Sequence, residues 1–187
     1  MNRQQKMGKG DYRGIGAPKI HLDTVIGIDP DVDKNGVALL DCNTKTLSIT
    51  TLTFPDLIDY LLYQKRTSEV EGKNIIVTIE AGWMNQGNWH LKYRDNRNVA
   101  VAKGVHQGRN EQVSRIIGQM CDHYGIRYEF IKPLRKTWRG KDGKITHDEL
   151  SYFTGIKGHT NQEGRDAALI AWIYAGFAVR VAPVGRK

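Results

Sequence analysis

Four acidic side chains occupy positions from which a folded chain can bring them together. Asp29 and Glu80 each end an apolar run rich in β-branched residues, and Glu163 and Asp166 are three residues apart, on one face of a helix. Clustered carboxylates repel one another unless cations neutralise them, and Mg²⁺ binds oxygen ligands of this kind. Two such ions, about 3.5 to 4 Å apart, would flank a scissile phosphate and activate water for its hydrolysis.

Each of these acids, taken singly, has a simpler interpretation as a strand-end or helix-cap residue. Their joint placement is harder to explain in that way, because the first and fourth strands of a mixed sheet can become neighbours after a crossover. A helix packed on that sheet could then begin at the same end. We therefore expect the catalytic and metal-binding residues to be Asp29, Glu80, Glu163 and Asp166. The expected cofactor is Mg²⁺ or Mn²⁺, with two ions in each site.

The hydrophobic pattern predicts an α/β domain built on a five-stranded mixed sheet flanked by helices. Strands are predicted at 24–29, 36–41, 46–52, 74–80 and 126–131, the first three as an antiparallel meander. Helices are predicted at 54–65, at about 100–124, at 146–153 and at 162–179. Residues 81–98 have no period and predict a long loop, a feature that is often functional in compact domains.

Length, charge and cysteine content narrow the class of protein. The 187 residues suffice for one domain, expected at 21–187, preceded by a flexible basic arm at 1–20. The 28 Lys and Arg against 20 Asp and Glu give a net charge of +8, which favours a polyanionic partner such as nucleic acid. Two cysteines predict neither a disulfide framework nor a zinc site, and the chain has no apolar stretch of membrane-spanning length. We expect a cytoplasmic protein with no membrane contact.

Two segments combine aromatic and basic side chains. Residues 82–98 include three aromatic residues, and residues 132–144 place six basic residues around Trp138. Stacking of an unpaired base on an aromatic ring contributes about 1 to 3 kcal/mol, so such segments suit nucleic acid. The tryptophans of 82–98 could equally anchor that loop to the domain. The predicted nucleic-acid-binding residues are Arg135, Lys136, Arg139 and Lys144.

Two other segments match known binding motifs only in part. The segment 31–36 begins like a calcium-binding EF-hand loop, but Cys42 stands where that loop requires a bidentate Glu. The segment 140–144 lacks the glycine spacing of a nucleotide-binding loop, and Ile145 follows its lysine. Calcium sensing and nucleotide binding by these motifs are therefore disfavoured.

Three stretches around the acids resemble one known family. They are Val25-Ile26-Gly27-Ile28-Asp29-Pro30 with Asn35-Gly36-Val37-Ala38, then Ile76-Val77-Thr78-Ile79-Glu80, and finally Glu163-Gly164-Arg165-Asp166-Ala167-Ala168. In order and spacing this chain resembles the RuvC-like Holliday junction resolvases, which have the ribonuclease H-like fold, from about residue 25 to residue 176. Asp31 stands where the family usually has glycine, and Glu163 where it more often has Asp or His.

The resemblance implies a homodimeric, metal-dependent endonuclease that hydrolyses branched DNA and leaves a 5′-phosphate and a 3′-hydroxyl. It implies that Asp29 bridges both ions, with Glu80 on one and Asp166 on the other, and that Lys136 and Lys144 bind phosphate. Two alternatives stay open: a nuclease of the same fold acting on RNA/DNA hybrids or flaps, and a catalytically silent nucleic-acid binder. The intact acid set disfavours the silent binder.

Overall fold

The computed structural model describes residues 21–85 and 96–180, and these form one mixed sheet with helices on both faces. The strands are β1 (Thr24–Asp29), β2 (Asn35–Asp41), β3 (Thr46–Leu52), β4 (Ile75–Glu80) and β5 (Tyr128–Ile131). The helices are α1 (Phe54–Glu71), α2 (Arg97–Tyr124), α3 (His147–Thr154) and α4 (Gln162–Tyr174). The expected basic arm at 1–20 and the centre of the predicted loop, 86–95, lie outside the described residues.

The sheet has the order β3-β2-β1-β4-β5. The first three strands pair antiparallel, as predicted, whereas β4 pairs parallel with β1 and β5 parallel with β4. Ile28 is in register with Ile79, so the two strands end side by side. Asp29 and Glu80 therefore lie at the same edge of the sheet.

The alternation of side chains along β1 divides the core into two layers. Ile26 and Ile28 are fully buried against α1 and α2, where they meet Leu57 and Ile117. Val25, on the opposite face, packs with residues of α4. The burial of apolar residues on both faces of β1 explains its continuous apolar sequence. Trp172 of α4 is only 4% exposed.

Three helix ends differ from the predicted ones by more than one residue. Helix α1 continues to Glu71 and ends at Gly72, whose φ of 65° is left-handed, so the weaker apolar pattern after residue 65 does not end the helix. Helix α2 begins at Arg97, because the Asn96 side chain accepts a hydrogen bond from the backbone N–H of Val99 at 2.9 Å.

The last helix, α4, ends at Tyr174 rather than at residue 179. Gly176 has a φ of 77°, and the chain then folds back, so that the Trp172 indole N–H donates to the carbonyl of Ala178 at 3.1 Å. Phe177 packs on Trp172 with ring centroids 5.0 Å apart. The apolar residues after 174 thus pack from a loop, which their helix-like spacing did not reveal. Among the helices of the described residues, none is long and apolar enough to span a bilayer.

Candidate active site

Three of the four predicted acids line one cleft at the carboxyl ends of β1 and β4. The cleft has a volume of about 70 Å³, and its polar walls include Asp29, Glu80 and Asp166 together with Lys136 and Lys144. The first two acids come from neighbouring parallel strands, and Asp166 comes from the second turn of α4. Residues far apart in the sequence thus converge at one sheet edge.

Two glycines allow α4 to lie directly on the sheet. A Cβ atom at Gly27 would overlap the carbonyl oxygen of Ala167 and lie 2.9 Å from the backbone nitrogen of Ala171. A Cβ atom at Gly36 would overlap the backbone carbonyl of Glu163. Because these neighbours are backbone atoms, no side-chain rotation can make room. The two glycines therefore set the distance between Asp166 and the strand that carries Asp29.

The acids in this cleft destabilise one another's charged forms. Burial raises the pKa of Asp29 well above its ordinary value, and the charges of Glu80 and Asp166 raise it further. Burial, followed by the charge of Asp166, raises the pKa of Glu80 to about 7, against an ordinary value of 4.5. Without added cations, the cluster therefore retains protons at a pH where exposed carboxylates have lost theirs.

A lysine provides positive charge inside the cleft. The Lys144 ammonium lies 3.3 Å from Oδ2 of Asp166. Burial by itself would lower the pKa of Lys144, but the charges of Asp166 and Asp29 and the hydrogen bond to Asp166 raise it above its ordinary value. Lys144 therefore stays protonated and partly neutralises the acids.

The pKa of Glu80 predicts how stability changes with pH when divalent cations are removed. Between pH 4.5 and about 7, the folded state binds more protons at Glu80 than the unfolded state does, so the free energy of unfolding falls as pH rises. We expect the melting temperature to fall between pH 5 and 8, and Glu80→Gln to reduce that fall. Exposed Glu71→Gln is the control and should follow wild type. A melting temperature that rises over this range would contradict the pKa shift.

Glu163 lies outside the cleft lining, one helical turn before Asp166. Its side chain is partly exposed and its charge acts on Lys144, which contacts Asp166. The structure thus gathers three of the predicted acids and leaves Glu163 at the margin. The backbone of Glu163 lies directly against Gly36, so the first turn of α4 packs on β2.

The cleft suits a divalent cation by the chemistry of its donors. Over 21–85 and 96–180, no three Asp, Glu, His or Cys side chains are grouped closely enough to hold one ion as they stand. The walls nevertheless present three carboxylates, two of them with pKa values raised by burial and mutual repulsion, a combination that a cation would relieve. The donor set therefore fits Mg²⁺ or Mn²⁺ by its chemistry, although these carboxylates would have to move closer together to share one ion.

Three of the four predicted basic residues, Arg135, Lys136 and Lys144, line the cleft. The loop that ends with Lys144 is closed by two backbone hydrogen bonds of 2.9 Å, from Trp138 to Gly143 and from Gly140 to Lys144. Arg139 does not line the cleft, and its Nε lies 3.9 Å from Oε1 of the buried Glu149 carboxylate. The sequence placed all four residues in one basic segment but could not show this division.

Sequence reasoning missed two contacts, one to an acid of the cleft and one outside the cleft lining. Gln162 donates from Nε2 to Oδ1 of Asp166 at 2.8 Å, and the spacing of four residues on one helix was the available signal. Arg115 lies over the ring of Trp83, 4.0 Å from its centroid. Trp83 also packs edge-on against Phe130, with centroids 4.9 Å apart, which favours the anchoring role for this tryptophan. No sequence signal pairs Arg115 with Trp83, because the two residues meet only when α2 packs beside residues 82–84.

Comparisons with known proteins concern the fold. No family model and no curated protein matches the sequence. RuvC of T. thermophilus, solved in complex with a Holliday junction substrate, is 14% identical with a TM-score of 0.40, over 81% of this chain and 90% of that one. The Fowlpox virus resolvase, solved with Holliday junction DNA, is 11% identical with a TM-score of 0.34, over 82% and 97%.

Because these likenesses are distant, we describe the fold from the strand order and strand pairing of this chain. An antiparallel meander of three strands continues through β1 into two parallel strands, in the order β3-β2-β1-β4-β5, with helices on both faces. This is the arrangement that the sequence resemblance implied. The chain is an α/β domain with a five-stranded mixed sheet, and this architecture agrees with the ribonuclease H-like fold predicted from the sequence.

Proposed function

We propose that this protein is a metal-dependent endonuclease that cuts branched DNA by hydrolysis of phosphodiester bonds. The observation that carries the proposal is the cleft at the ends of β1 and β4, where three carboxylates and two lysines face one another. Carboxylates suit divalent cations and lysines suit phosphate, so the cleft has groups for both sides of a phosphodiester reaction.

In this proposal Asp29, Glu80 and Asp166 hold Mg²⁺ or Mn²⁺, two ions in each site. The bound metal supplies an activated water and charge stabilisation at the phosphate. Lys136 and Lys144 bind the phosphate oxygens beside the carboxylates, and Arg135 extends the positive surface at the cleft wall. The net charge of +8 attracts the nucleic-acid backbone over a longer range.

The branched substrate rests on the motif resemblance, since a fold does not by itself select a substrate. A four-way junction has two symmetry-related strands to cut, and a two-fold dimer presents two active sites to them. We therefore propose a homodimer as the active form. The two alternatives, action on RNA/DNA hybrids or flaps and binding without cleavage, predict different products.

A panel of labelled substrates tests the proposal. The wild-type protein is incubated with Mg²⁺ and a four-way junction, a duplex of the same arm sequence, a flap and an RNA/DNA hybrid. We expect paired nicks in the junction, with 5′-phosphate and 3′-hydroxyl ends, and slower or no cleavage of the others. Preferred cleavage of the hybrid or the flap would contradict the branched-DNA assignment. Tight binding with no cleavage in Mg²⁺ or Mn²⁺ would support the silent binder instead.

Removing the basic walls of the cleft should change how DNA binding depends on salt. On duplex DNA, log affinity falls with log salt at a slope of about −0.9 for each phosphate contact, so removing one cationic side chain makes the slope shallower by about 0.9. We expect the combined variant Arg135→Ala, Lys136→Ala, Lys144→Ala to bind more weakly and with a flatter slope. Arg139→Ala should change the slope less, because Glu149 partners this guanidinium. Exposed Arg66→Ala on α1 is the distant control, and a slope for the combined variant equal to wild type would exclude these residues as phosphate-binding groups.

Glu163→Gln tests the marginal acid. Glu163 lies one turn before Asp166 and acts on Lys144 by its charge, so we expect its loss to raise the Mg²⁺ concentration needed for half-maximal cleavage. The increase should be smaller than for Asp166→Asn, since Asp166 lines the cleft. Activity is titrated against Mg²⁺ beside thermal unfolding of the same preparations. An unshifted Mg²⁺ titration would reduce the metal-binding set to Asp29, Glu80 and Asp166.

A further inference from the structure

The carboxylate of Asp166 is held by two donors of different kinds. Its Oδ1 accepts from the amide nitrogen of Gln162 at 2.8 Å, and its Oδ2 lies 3.3 Å from the ammonium of Lys144. The Asp166 side chain is 20% exposed, so packing alone does not fix its rotation. One donor is a neutral amide and the other is a cation.

The orientation of the Gln162 amide is determined by its other neighbours. Nη2 of Arg165 lies 2.8 Å from Oε1 of Gln162, and a guanidinium can only donate. The carbonyl of Ile145 lies 3.3 Å from Nε2, and a carbonyl can only accept. Rotating the amide by 180° would place donor against donor at Arg165 and acceptor against acceptor at Ile145. Nε2 of Gln162 therefore has to face Asp166.

Arg165 is itself fixed at two points. Its Nε donates to the carbonyl of Ile145 at 3.0 Å, and its Nη1 donates to the carbonyl of Thr160. Gln162 and Arg165 thus share the carbonyl of Ile145, the residue that follows Lys144. These hydrogen bonds join three segments: the chain before α4, the first turns of α4, and the end of the loop that contains Lys144.

We propose that Gln162 is a positioning residue that holds the Asp166 carboxylate toward the cleft for cation binding, with Arg165 fixing the orientation of its amide. This inference rests on the proposed metal site. A divalent cation competes with Lys144, because both bring positive charge to the same carboxylate. The neutral amide of Gln162 does not compete for that role and can keep its bond to Oδ1. Groups that orient a metal ligand in this way typically change metal affinity by about 10 to 100-fold when they are removed.

Mn²⁺ binding in the absence of DNA separates positioning from general stability. Free Mn²⁺ is measured by electron paramagnetic resonance during titration of wild type, Gln162→Met and Arg165→Lys. Methionine matches glutamine in length and removes the hydrogen bonds. We expect Gln162→Met to bind Mn²⁺ about 10 to 100-fold more weakly, with a metal-free melting temperature close to that of wild type. Arg165→Lys, which leaves the amide of Gln162 without its fork-shaped donor, should weaken binding in the same direction by less. Gln119→Met, at an exposed position on α2, is the matched control and should bind as wild type does.

The outcomes separate this inference from the proposed function. If wild type binds Mn²⁺ and both network variants bind it with the same affinity, the positioning role is overturned and the metal site stands. If wild type does not bind Mn²⁺, the metal site and the positioning role fall together. If Gln162→Met does not fold, Arg165→Lys decides, and an unchanged affinity in that variant overturns the role.

Discussion

Replacing Asp29 with asparagine should abolish DNA cleavage while leaving DNA binding nearly intact. The charges of both Glu80 and Asp166 raise the pKa of Asp29, so Asp29 interacts with both of the other acids. The proposed metal site depends most on the carboxylate that is shared in this way. We expect at least a 100-fold loss of turnover, about the lower range for removing one group that stabilises a transition state. Binding should persist because it depends on the basic surface.

A thermal measurement on the same variant excludes unfolding as the cause. Charging Asp29 is unfavourable in the metal-free protein, so Asp29→Asn should melt no lower than wild type at pH 8 without cations. Asp33→Asn, at an exposed turn, is the control and should cleave normally. Wild-type turnover by Asp29→Asn in excess Mg²⁺ would mean that the active site lies elsewhere.

The second large effect is expected at Gly27, where one methyl group should destabilise the domain and displace Asp166. A Cβ atom there would overlap the carbonyl of Ala167, so Gly27→Ala has to push α4 away from β1. Overpacking of this kind costs about 1 to 3 kcal/mol or more. Each kcal/mol corresponds to roughly 2 to 4 °C of melting temperature for a chain of this size. Cleavage should fall as well, because α4 carries an acid of the cleft.

Gly104→Ala provides a control with the opposite sign. Gly104 is exposed within α2, and a Cβ atom there would meet nothing within 4 Å. Alanine in a helix interior is more stable than glycine by about 1 kcal/mol, so this variant should melt slightly higher than wild type. A melting temperature for Gly27→Ala at or above that of wild type would contradict the close approach of α4 to the sheet.

Much of the fold could be predicted because its signals are local. The apolar run of β1 and its final acid gave that strand its observed bounds, and the turn residues around 41–45 placed β2 and β3. The sequence also allowed the first and fourth strands to be neighbours after a crossover, and β1 and β4 do pair, in parallel. These signals act within a few residues of the chain, so the sequence alone carries them.

The remaining features depend on contacts between distant segments. Arg139 was grouped with its basic neighbours, but it lies outside the cleft lining and contacts the buried Glu149 of α3. The positioning network of Gln162 and Arg165 requires the carbonyl of Ile145, which reaches α4 only after the basic loop has folded. The position of Glu163 depends on how closely α4 approaches Gly36. None of these contacts leaves a periodic trace in the sequence.

A crystal structure of the protein with Mn²⁺ tests the metal site most directly. Anomalous diffraction locates the ion independently of any assumption about the reaction. We expect Mn²⁺ within about 2 to 2.5 Å of carboxylate oxygens from at least two of Asp29, Glu80 and Asp166, with the Lys144 ammonium moved away from Asp166. Crystals prepared at a Mn²⁺ concentration that supports cleavage, but with no anomalous peak between these three carboxylates, would contradict the proposed site.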